Sequence, residues 1–549
     1  MVNTVETDVL IVGAGPTGLS LAIELGLRGV QAVVVEKNPR TGSQPRAKTT
    51  NIRTMQHLRR WGIADKLRAA APLPYDHPTD VVFATRLFGR TLAVIENAFE
   101  GAKRRDPRFP EPAQWVPQYT VEAILRDRVA TLPSVDLQFN TELEDAEQTA
   151  NAVEASVRNL ANDERRTIRA KYLVGADGAR SRVRGIIGAR MEGEHAYALN
   201  YNFILRVPAL SQERPARRAI MYWLVNKEAP AVMGPMDGED RWFFGITLPP
   251  GVTEIDDDTL RRRVCEAVGR TVEIEILERD IWAAHRLIAN SYRDRRAFLA
   301  GDACHLHPPF GGYGMNLGVA DAVDLGWKLA AMLQGWGGPH LLDSYEQERR
   351  SVHQRTIAEA VENYRTLSAQ LLKDDLDEDS EAGERARRAV ADEIVRTKTR
   401  EFKTLGVVLG SRYLQSQIIV DDGSAPPREH YANFEPSAHP GCLAPHAWLP
   451  DGRSLYDLFG RGYTLLALED GAPTAALARA AERAGVPLSV LELHDPQLRA
   501  LYGAALALIR PDQYVAWRGE RVDDAAGLID TLRGARMPAP AAKTKEPAA

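Results

Sequence analysis

A glycine-rich segment near the start of the chain has the spacing that accommodates a dinucleotide pyrophosphate. Gly13, Gly15 and Gly18 form a G-x-G-x-x-G pattern, and Pro16 and Thr17 open the helical stretch behind it. The first glycine permits a tight turn, the second lets the backbone approach the phosphates, and the third allows close packing of helix on strand. The helix N-terminus then faces the phosphate charge. The segment therefore predicts dinucleotide contacts from these residues.

A carboxylate at the end of the next apolar run narrows the choice of dinucleotide. Glu36, followed by Lys37, closes the run that begins at Ala32. A carboxylate at this place accepts hydrogen bonds from the ribose hydroxyls and disfavours a 2′-phosphate. The site is therefore predicted to hold FAD or NAD and not NADP, with Glu36 and Lys37 among its contacts.

Two later loops carry an aspartate directly after a short apolar run, and a second glycine-rich segment follows. Asp177 precedes Gly178 in the first loop, and Asp302 lies in the second loop. The segment Gly311–Asn316 comes shortly after Asp302. A plain dehydrogenase needs only the first glycine loop, so these additional clusters bear on the choice between FAD and NAD.

Together these segments resemble the FAD-dependent aromatic hydroxylases, the single-component (class A) flavoprotein monooxygenases, over nearly the whole chain. In that family the loop matching Asp177 is associated with flavin and reduced pyridine nucleotide binding, and the aspartate matching Asp302 binds the ribityl chain of FAD. The loop matching 311–316 lies against the isoalloxazine ring; here Tyr313 replaces a more usual glutamine or apolar residue. The resemblance implies FAD contacts from Asp177, Gly178, Asp302, Pro309, Gly312, Gly314, Met315 and Asn316.

Two shorter segments strengthen the resemblance. Arg46 and Ala47 match the place where the family sets an arginine near the flavin, and Gln118 matches a helix start that contacts the flavin. The resemblance implies that Arg46 also acts in catalysis. The residues around Arg46 are most similar to the phenol-hydroxylating branch, such as 2-hydroxybiphenyl and chlorophenol monooxygenases. Hydroxylases of aromatic polyketides share the same framework, so both substrate classes stay open.

The resemblance also implies a reaction. NADPH or NADH reduces FAD, O₂ forms a flavin C4a-hydroperoxide, and one oxygen atom passes to a phenolic or polycyclic aromatic ring. The protein must orient the ring, keep the site dry and make the phenol more nucleophilic. Two alternatives remain: a Baeyer–Villiger or epoxidising monooxygenase acting on a polyketide-like substrate, and a non-catalytic flavin-binding protein that acts through its C-terminal domain.

Residues for the substrate are expected between the two aspartate loops, where alternating apolar residues predict strands. His285 follows one such strand and is a candidate proton acceptor, because histidine titrates near neutral pH. Aromatic and sulfur side chains on these strands suit a flat substrate, although such residues are commonly core residues. The predicted substrate contacts are Tyr201, Tyr222, Trp223, Met233, Trp242 and Phe244.

No metal site is predicted from the cysteine and histidine spacing. His305 and His307 form an H-x-H pair, but no cysteine or free carboxylate cluster accompanies it in the sequence. The three cysteines are Cys265, Cys304 and Cys442, which are too scattered for a disulfide framework.

The elements that position these residues follow from hydrophobic patterning. The N-terminal order is strand, glycine turn, helix and strand, which predicts a Rossmann-type unit. The predicted fold class is α/β: a Rossmann-type FAD-binding domain, an inserted antiparallel β-sheet substrate domain and, by the resemblance of residues 444–449 and 509–518, a C-terminal thioredoxin-like domain. That last domain lacks a cysteine pair for thiol exchange.

The predicted boundaries divide the chain into five parts. They are 1–190 with 286–372 for FAD, 191–285 for the substrate sheet, 373–440 as a helical linker region, 441–536 as the thioredoxin-like domain, and 537–549 as a disordered tail.

Composition excludes several partners. The chain has 549 residues, 44% of them hydrophobic and 26% charged, with a net charge of −5. This is an ordinary globular composition, and the mild charge does not favour nucleic acid. No signal peptide or membrane helix is predicted, so a cytoplasmic location is expected. A small aromatic substrate is the expected partner, and a homodimer is expected by analogy.

Overall fold

The fold is taken from a computed structural model, which describes residues 4–39, 47–248, 252, 254–364 and 371–536, without the side chains of 196–199, 282 and 284. The strands are β1 (Thr4–Val12), β2 (Ala32–Val35), β3 (Thr49–Thr50), β4 (Val81–Ala84), β5 (Thr91–Ile95), β6 (Gln114–Trp115), β7 (Val135–Gln138), β8 (Thr141–Gln148), β9 (Val153–Asn159), β10 (Arg165–Gly175), β11 (Met191–Arg206), β12 (Met221–Leu224), β13 (Ala231–Pro235), β14 (Arg241–Thr247), β15 (Glu275–Ala289), β16 (Arg293–Asp294), β17 (Ala297–Leu299), β18 (His305–Leu306), β19 (Tyr463–Ala467), β20 (Leu488–Glu492), β21 (Leu506–Ile509) and β22 (Val515–Gly519).

The helices are α1 (Pro16–Gly26), α2 (Ile52–Arg60), α3 (Ala64–Ala70), α4 (Gln118–Val129), α5 (Arg182–Ile186), α6 (Ala209–Gln212), α7 (Asp257–Val268), α8 (Gly314–Leu333), α9 (Asp343–Tyr364), α10 (Glu381–Phe402), α11 (Leu405–Val408), α12 (Ala475–Arg483), α13 (Pro496–Tyr502) and α14 (Ala525–Leu532).

The first sheet confirms the predicted α/β architecture of the nucleotide-binding part. Its main path is β16-β17-β10-β1-β2-β7, and β1 pairs in parallel with both β2 and β10. Val9 lies opposite Ala32 on one side and Tyr172 on the other. Parallel strands covered on both faces are continuous apolar runs, and β2 is buried at every position. The carboxyl ends of β1, β10 and β17 therefore lead into the three predicted loops at one edge.

The second sheet is larger than the predicted insertion. Its order is β18-β15-β11-β14-β13-β12-β4-β5, so residues 81–95 and 305–306 add strands from outside 191–285. The sheet is also mixed, because β12 pairs in parallel with β4. The predicted antiparallel insertion is thereby corrected to a mixed sheet. Strands β4 and β5 were not predicted, because short strands between loops carry a weak sequence pattern.

Contacts divide the chain into two compact units. The first contains 1–323, 353–409 and 429–434, and the second contains 324–352, 410–428 and 435–549. The first unit includes α10, which packs beside β5. Residues 373–409 of the predicted linker region 373–440 belong to the first unit, where Ile394, Lys398 and Phe402 of α10 are buried. The predicted tail 537–549 lies outside the described residues.

The second unit is built on a four-stranded sheet in the order β20-β19-β21-β22. β19 is parallel to β20 and antiparallel to β21, and β22 is antiparallel to β21. Its apolar core includes Trp327, Leu465, Leu477, Leu508 and Ile529.

A fully buried network of charged residues also lies in the second unit. Arg510 contacts Glu348 at 2.6 Å, Asp324 at 3.0 Å and Asp512 at 2.6 Å. Lys328 lies 2.6 Å from Glu348 and 2.8 Å from Asp324. Burial raises the pKa of Asp324 more than Lys328 lowers it. Burial alone would also raise the pKa of Glu348, but Arg510 and Lys328 outweigh it and hold that pKa low.

The most apolar of the three long helices is α8, which nevertheless carries Asp321, Asp324 and Lys328. Over the part of the chain that the structure describes, none of the helices combines the length and the apolar character needed to cross a membrane.

Candidate active site

The first glycine turn is closed by contacts that only glycine permits at two positions. Gly13 has a φ of +103°, and a Cβ there would overlap the Ala176 carbonyl. A Cβ on Gly18 would overlap the carbonyl oxygen of Gly13, so α1 packs directly on the turn. Gly15 differs, because its φ of −74° suits any residue and no described atom lies within 4 Å of the position of a Cβ. The space beside Gly15 is thus open to a phosphate at the N-terminus of α1.

Glu36 is fixed beside this turn by backbone groups. Its Oε2 accepts a hydrogen bond from the Ala14 N–H at 3.0 Å, and its Oε1 accepts one from the Asn38 N–H at 2.9 Å. Lys37 is exposed next to it. The carboxylate is therefore held in one orientation, as a ribose acceptor requires.

The turn that carries Asp302 is anchored to α1. Gly301 has a φ of +64°, and a Cβ there would lie 2.6 Å from Oγ1 of Thr17. A Cβ on Gly318 of α8 would overlap the same hydroxyl. Thr17 therefore joins the first glycine turn, the Asp302 turn and the start of α8, while Asp302 itself is exposed.

The glycine-rich segment before α8 is held by one asparagine. Asn316 donates from Nδ2 to the Thr49 carbonyl at 2.9 Å and to the Gly312 carbonyl at 2.7 Å. Its Oδ1 accepts from the Asn51 N–H at 2.9 Å. These bonds tie the loop to β3 and fix its curvature, and Gly312 has a φ of +66°. Gly314 begins α8; Met315 is half-buried and Pro309 is exposed.

The predicted flavin contacts around residue 46 are described in part. Arg46 lies outside the described residues. The Ala47 carbonyl accepts from the Gln118 N–H at 2.9 Å, so the start of α4 lies directly against this segment. Gln118 donates to Oε1 of Glu122 at 2.8 Å.

Asp177 has a structural role in addition to its predicted cofactor role. Its carboxylate accepts from the Arg182 N–H at 2.7 Å, the Val183 N–H at 3.2 Å and the Ser181 hydroxyl. These contacts cap α5 and form the loop, and Gly178 next to Asp177 has a φ of +78°.

The predicted H-x-H pair separates into two environments. His305 and His353 each place Nε2 on the Asp321 carboxylate, at 3.1 and 2.8 Å. The Tyr292 hydroxyl lies 2.8 Å from Nδ1 of His353, so it donates when Nε2 of His353 carries the proton. Cys304 is close enough to complete a set of metal-type ligands. The distances from Asp321 to the two histidines are hydrogen-bond distances, and Asp321 also fixes the turn by accepting from the Gly301 N–H at 2.9 Å.

His307 lies apart from that set. Its Nδ1 is 2.8 Å from the Pro308 carbonyl, and its ring lies 6.4 Å from the ring of Tyr313. Burial, with a smaller contribution from His305, lowers the pKa of His307 to about 4, so the ring is neutral. Among the described residues, Nε2 of His307 and the buried Tyr313 hydroxyl have no hydrogen-bond partner.

Five of the six predicted substrate residues pack in one apolar core, and the sixth, Trp223, does not belong to it. Tyr201, Tyr222, Met233, Trp242 and Phe244 belong to the core between the second sheet and α7. Side chains alternate between the faces of a strand, so Trp223 points to the opposite face from its neighbour Tyr222. The prediction took residues of both alternations, because the sequence does not show which face packs on a helix.

Trp223 belongs to an aromatic cluster, here called the aromatic wall, formed by Phe83, Trp223, Phe310 and Phe402. Phe310 is half-buried, and the other three rings are almost completely buried. The ring of Trp223 lies 5.7 Å from Phe83, 6.4 Å from Phe310 and 6.5 Å from Phe402. Phe310 directly precedes the segment 311–316, so the aromatic wall borders the predicted flavin loop.

His285 also lies far from the aromatic wall. It lies on β15, which three strands separate from β12, and a spacing of about 4.8 Å per strand places them ~19 Å apart. Desolvation, followed by the charge of His195, lowers the pKa of His285. The structure therefore does not bring His285 to the aromatic wall that contains Trp223.

Several buried polar residues near the wall were not predicted. Lys398 is buried, with Nζ 4.0 Å from the Trp223 ring centre and 2.8 Å from Oε2 of Glu401. Asn363 is buried nearby, and its backbone carbonyl oxygen lies 3.5 Å from Nζ of Lys398. A signal existed, because Lys398 interrupts an apolar stripe that includes Ile394 at a spacing of four residues.

Lys48 is a further unpredicted residue on the same side of the sheet. Its Nζ lies 4.5 Å from the ring centre of Phe243, and desolvation lowers the pKa of Lys48 to about 8. Lys48 directly follows Ala47 in the chain, so it is adjacent to the segment of Arg46 and Ala47 that is predicted to contact the flavin.

Comparison with known families assigns both ends of the chain. Residues 6–360 match the family described as "FAD binding domain", and residues 437–536 match the family described as "Aromatic-ring hydroxylase, C-terminal".

Individual relatives extend over the whole chain. A tetracenomycin B2 monooxygenase-dioxygenase from Streptomyces olivaceus is 34% identical, covering 96% of this chain and 98% of the relative. A phenol 2-monooxygenase from Pseudomonas sp. (strain EST1001) is 31% identical, covering 98% and 94%. The solved structure of the rebeccamycin biosynthetic enzyme RebC with reduced flavin has a TM-score of 0.90 at 36% identity, covering 97% of this chain and 100% of RebC.

Proposed function

The chain belongs to the class A FAD-dependent aromatic hydroxylases, and from that membership we propose that it hydroxylates a flat phenolic or polycyclic aromatic substrate bound against the aromatic wall. It is a monooxygenase that uses NAD(P)H and O₂. One observation carries the proposed substrate class: the wall of Phe83, Trp223, Phe310 and Phe402 borders the loop that precedes α8. Wide aromatic faces with few polar groups suit a planar ligand.

The residues present fit FAD. The open space at Gly15 admits a pyrophosphate, the fixed Glu36 carboxylate suits a ribose, and the exposed Asp302 suits the ribityl chain. When bound, FAD supplies the transfer of electrons from NAD(P)H and the activation of O₂. The proposed FAD contacts are Gly13, Gly15, Pro16, Thr17, Gly18, Glu36, Lys37, Arg46, Ala47, Gln118, Asp177, Gly178, Asp302, Pro309, Gly312, Gly314, Met315 and Asn316.

The remaining tasks fall to the protein. The aromatic wall excludes water and orients a flat ring. Asn316 holds the loop in one conformation through its three hydrogen bonds, so the ring and the loop keep a fixed spacing.

The test is NAD(P)H oxidation under air by the purified holoenzyme. The panel contains simple phenols, biphenylols and polycyclic phenols, with H₂O₂ quantified and products identified by mass and by structure. Substrate-dependent oxidation with a new ring hydroxyl supports the proposal. A lactone, ester or epoxide product would assign the Baeyer–Villiger or epoxidising alternative, and flavin-loaded protein that no compound stimulates would favour the non-catalytic alternative.

Asp302→Ala is expected to purify without flavin colour. The side chain is exposed at a turn that Thr17 and Asp321 already fix, so the loss concerns the cofactor more than the fold. The ratio of flavin to protein absorbance measures it, with Asp294→Ala, a half-exposed carboxylate of β16, as the control. A yellow Asp302→Ala protein with full activity would contradict the assignment.

Trp223→Leu is expected to raise the KM of a stimulating phenol about tenfold, equivalent to ~1.4 kcal/mol of binding. Tyr222→Phe is the matched control, because Tyr222 points to the opposite face, where its hydroxyl donates to the Arg217 carbonyl at 2.8 Å. Steady-state kinetics with both variants measure the difference. Equal effects from the two substitutions would refute the assignment of the substrate to the Trp223 face.

For the second unit we propose a thioredoxin-like fold without redox chemistry. Support comes from its strand order and from its single cysteine, Cys442, whose thiol pKa burial raises to about 11. The homodimer and the cytoplasmic location stay predictions.

A further inference from the structure

A buried ion pair lies beside the aromatic wall. Lys398 and Glu401 of α10 are 2.8 Å apart, and both side chains are almost completely buried. The Lys398 ammonium also faces the ring of Trp223 at 4.0 Å and lies 5.6 Å from the ring centre of Phe310. Both rings belong to the aromatic wall, so the ion pair is next to the proposed position of the substrate.

Burial of this ion pair costs free energy that an apolar pair of residues would not cost. Burying two charges removes their hydration, and apolar residues of similar size are often at least as stable. Val390, Ile394 and Phe402 lie on the same buried stripe of α10 as Lys398. Packing alone would therefore be satisfied by an apolar residue at position 398.

An independent observation indicates that a polar ligand group belongs here. Asn363 of α9 is 2% exposed, and its backbone carbonyl oxygen lies 3.5 Å from the Lys398 ammonium. Within the described ranges, neither Oδ1 nor Nδ2 of Asn363 has a hydrogen-bond partner. The Tyr313 hydroxyl is buried and unpartnered on the same terms. Buried polar atoms without partners are uncommon in native proteins, so these atoms indicate a site for a bound polar group.

We propose that Glu401 accepts the proton of a phenolic hydroxyl bound against the aromatic wall, while the Lys398 ammonium stabilises the resulting phenolate oxygen. The inference rests on the proposed function for its substrate class. The O–H bond of the phenol breaks and an O–H bond forms on the Glu401 carboxylate, and Lys398 keeps its charge throughout. No oxidant takes part in this step. The phenolate is the more electron-rich ring, as oxygen transfer to it requires.

The electrostatic environment favours this transfer. Burial raises the pKa of Glu401 against the opposing effect of Lys398, so the carboxylate is a stronger base than usual. Oε2 of Glu401 accepts from Lys398, and no hydrogen bond from a described group reaches Oε1. The other charged or titratable groups of this region are Tyr313, Arg355, Glu359, Tyr364 and Arg400. Of these, Glu359 and Arg400 are paired at 2.7 Å.

The test uses the holoenzyme and 4-nitrophenol, whose phenolate absorbs visible light and whose phenol form does not. Difference spectra against the holoenzyme report the ionisation of the bound probe. Calorimetry in buffers of different ionisation enthalpy reports the protons released on binding. Both are measured below the pKa of the free probe, so that the free probe is protonated.

Each variant has a distinct expected result. The wild type binds phenolate without releasing a proton, because the proton stays on Glu401. Glu401→Gln binds phenolate with the release of about one proton per probe, because the proton has no acceptor in the site. Lys398→Met binds the neutral phenol, and Lys398→Arg restores the phenolate spectrum. Glu393→Gln, in the exposed ion pair with Arg396 on the same helix, behaves as the wild type.

Three outcomes overturn the inference: the wild type binds neutral phenol, the wild type releases as many protons as Glu401→Gln, or the wild type binds no 4-nitrophenol. Bound FAD, measured for each variant, confirms that it is folded. Oxygenation of a phenol by an enzyme with one of these outcomes would leave the proposed function standing and remove only this inference. Phenolate binding without oxygenation of any compound would do the reverse.

Discussion

Gly15→Ala is expected to fold normally and to bind FAD at least about tenfold more weakly, a loss of ~1.4 kcal/mol or more. The backbone at residue 15 is extended, with φ −74° and ψ −178°, and a Cβ would meet no described atom within 4 Å. The substitution therefore costs the apoprotein nothing in packing. Its methyl group instead occupies the space that a pyrophosphate needs at the N-terminus of α1.

Two measurements separate these effects. Thermal unfolding of the apoprotein should give the wild-type midpoint, and fluorescence titration with FAD should show the loss of affinity. Gly185→Ala is the matched control, because a Cβ there also meets no described atom, and it lies within α5. If Gly15→Ala kept the affinity of the wild type, the pyrophosphate would have to bind elsewhere.

Arg510→Met is expected to destabilise the second unit by about 3–5 kcal/mol. Arg510 is fully buried and contacts the carboxylates of Asp324, Glu348 and Asp512. Without the guanidinium, the carboxyl groups of Asp324, Glu348 and Asp512 remain buried, and Lys328 is the one cation left in the described network. Their pKa values should then rise in the folded variant. Because a raised carboxyl pKa costs stability as pH increases through it, the deficit should be smaller in acid than at neutral pH.

Hydrogen exchange of the β19 and β21 amides measures this effect, since those strands form the centre of the four-stranded sheet. Arg453→Met is the control, because Arg453 pairs with Asp451 at an exposed position in the same unit. No change in protection is expected there, since exposed ion pairs contribute little. Equal protection in Arg510→Met and the wild type would show that the network adds no stability.

The sequence predicted the nucleotide-binding part because local rules decide it. The run before Gly13 is apolar without alternation, as a strand buried on both faces requires, and Gly13 and Gly18 occupy positions where a side chain would overlap the backbone. These features depend on neighbours within about 30 residues. The turn, α1 and β2 could therefore be predicted from the sequence alone.

The substrate residues were less predictable because distant segments decide them. Tyr222 and Trp223 are adjacent and both aromatic, yet α7 covers one and α10 approaches the other. Lys398 lies in a densely charged stretch, which suggests a solvated helix, and only the spacing to Ile394 and Phe402 shows that it is buried. Tertiary packing overrides the local pattern at such positions.

The order of strands in the second sheet limits how this enzyme can be recombined with its relatives. Residues 191–285 form most of that sheet, but β12 pairs with β4 from residues 81–84, and the aromatic wall takes Phe83 from that strand. A chimera that exchanged only the central segment would pair a foreign β12 with the native β4. Specificity should therefore be transferable only when 81–95, α10 and the segment that carries Phe310 are exchanged together with it, because the substrate site combines four separate segments of the chain.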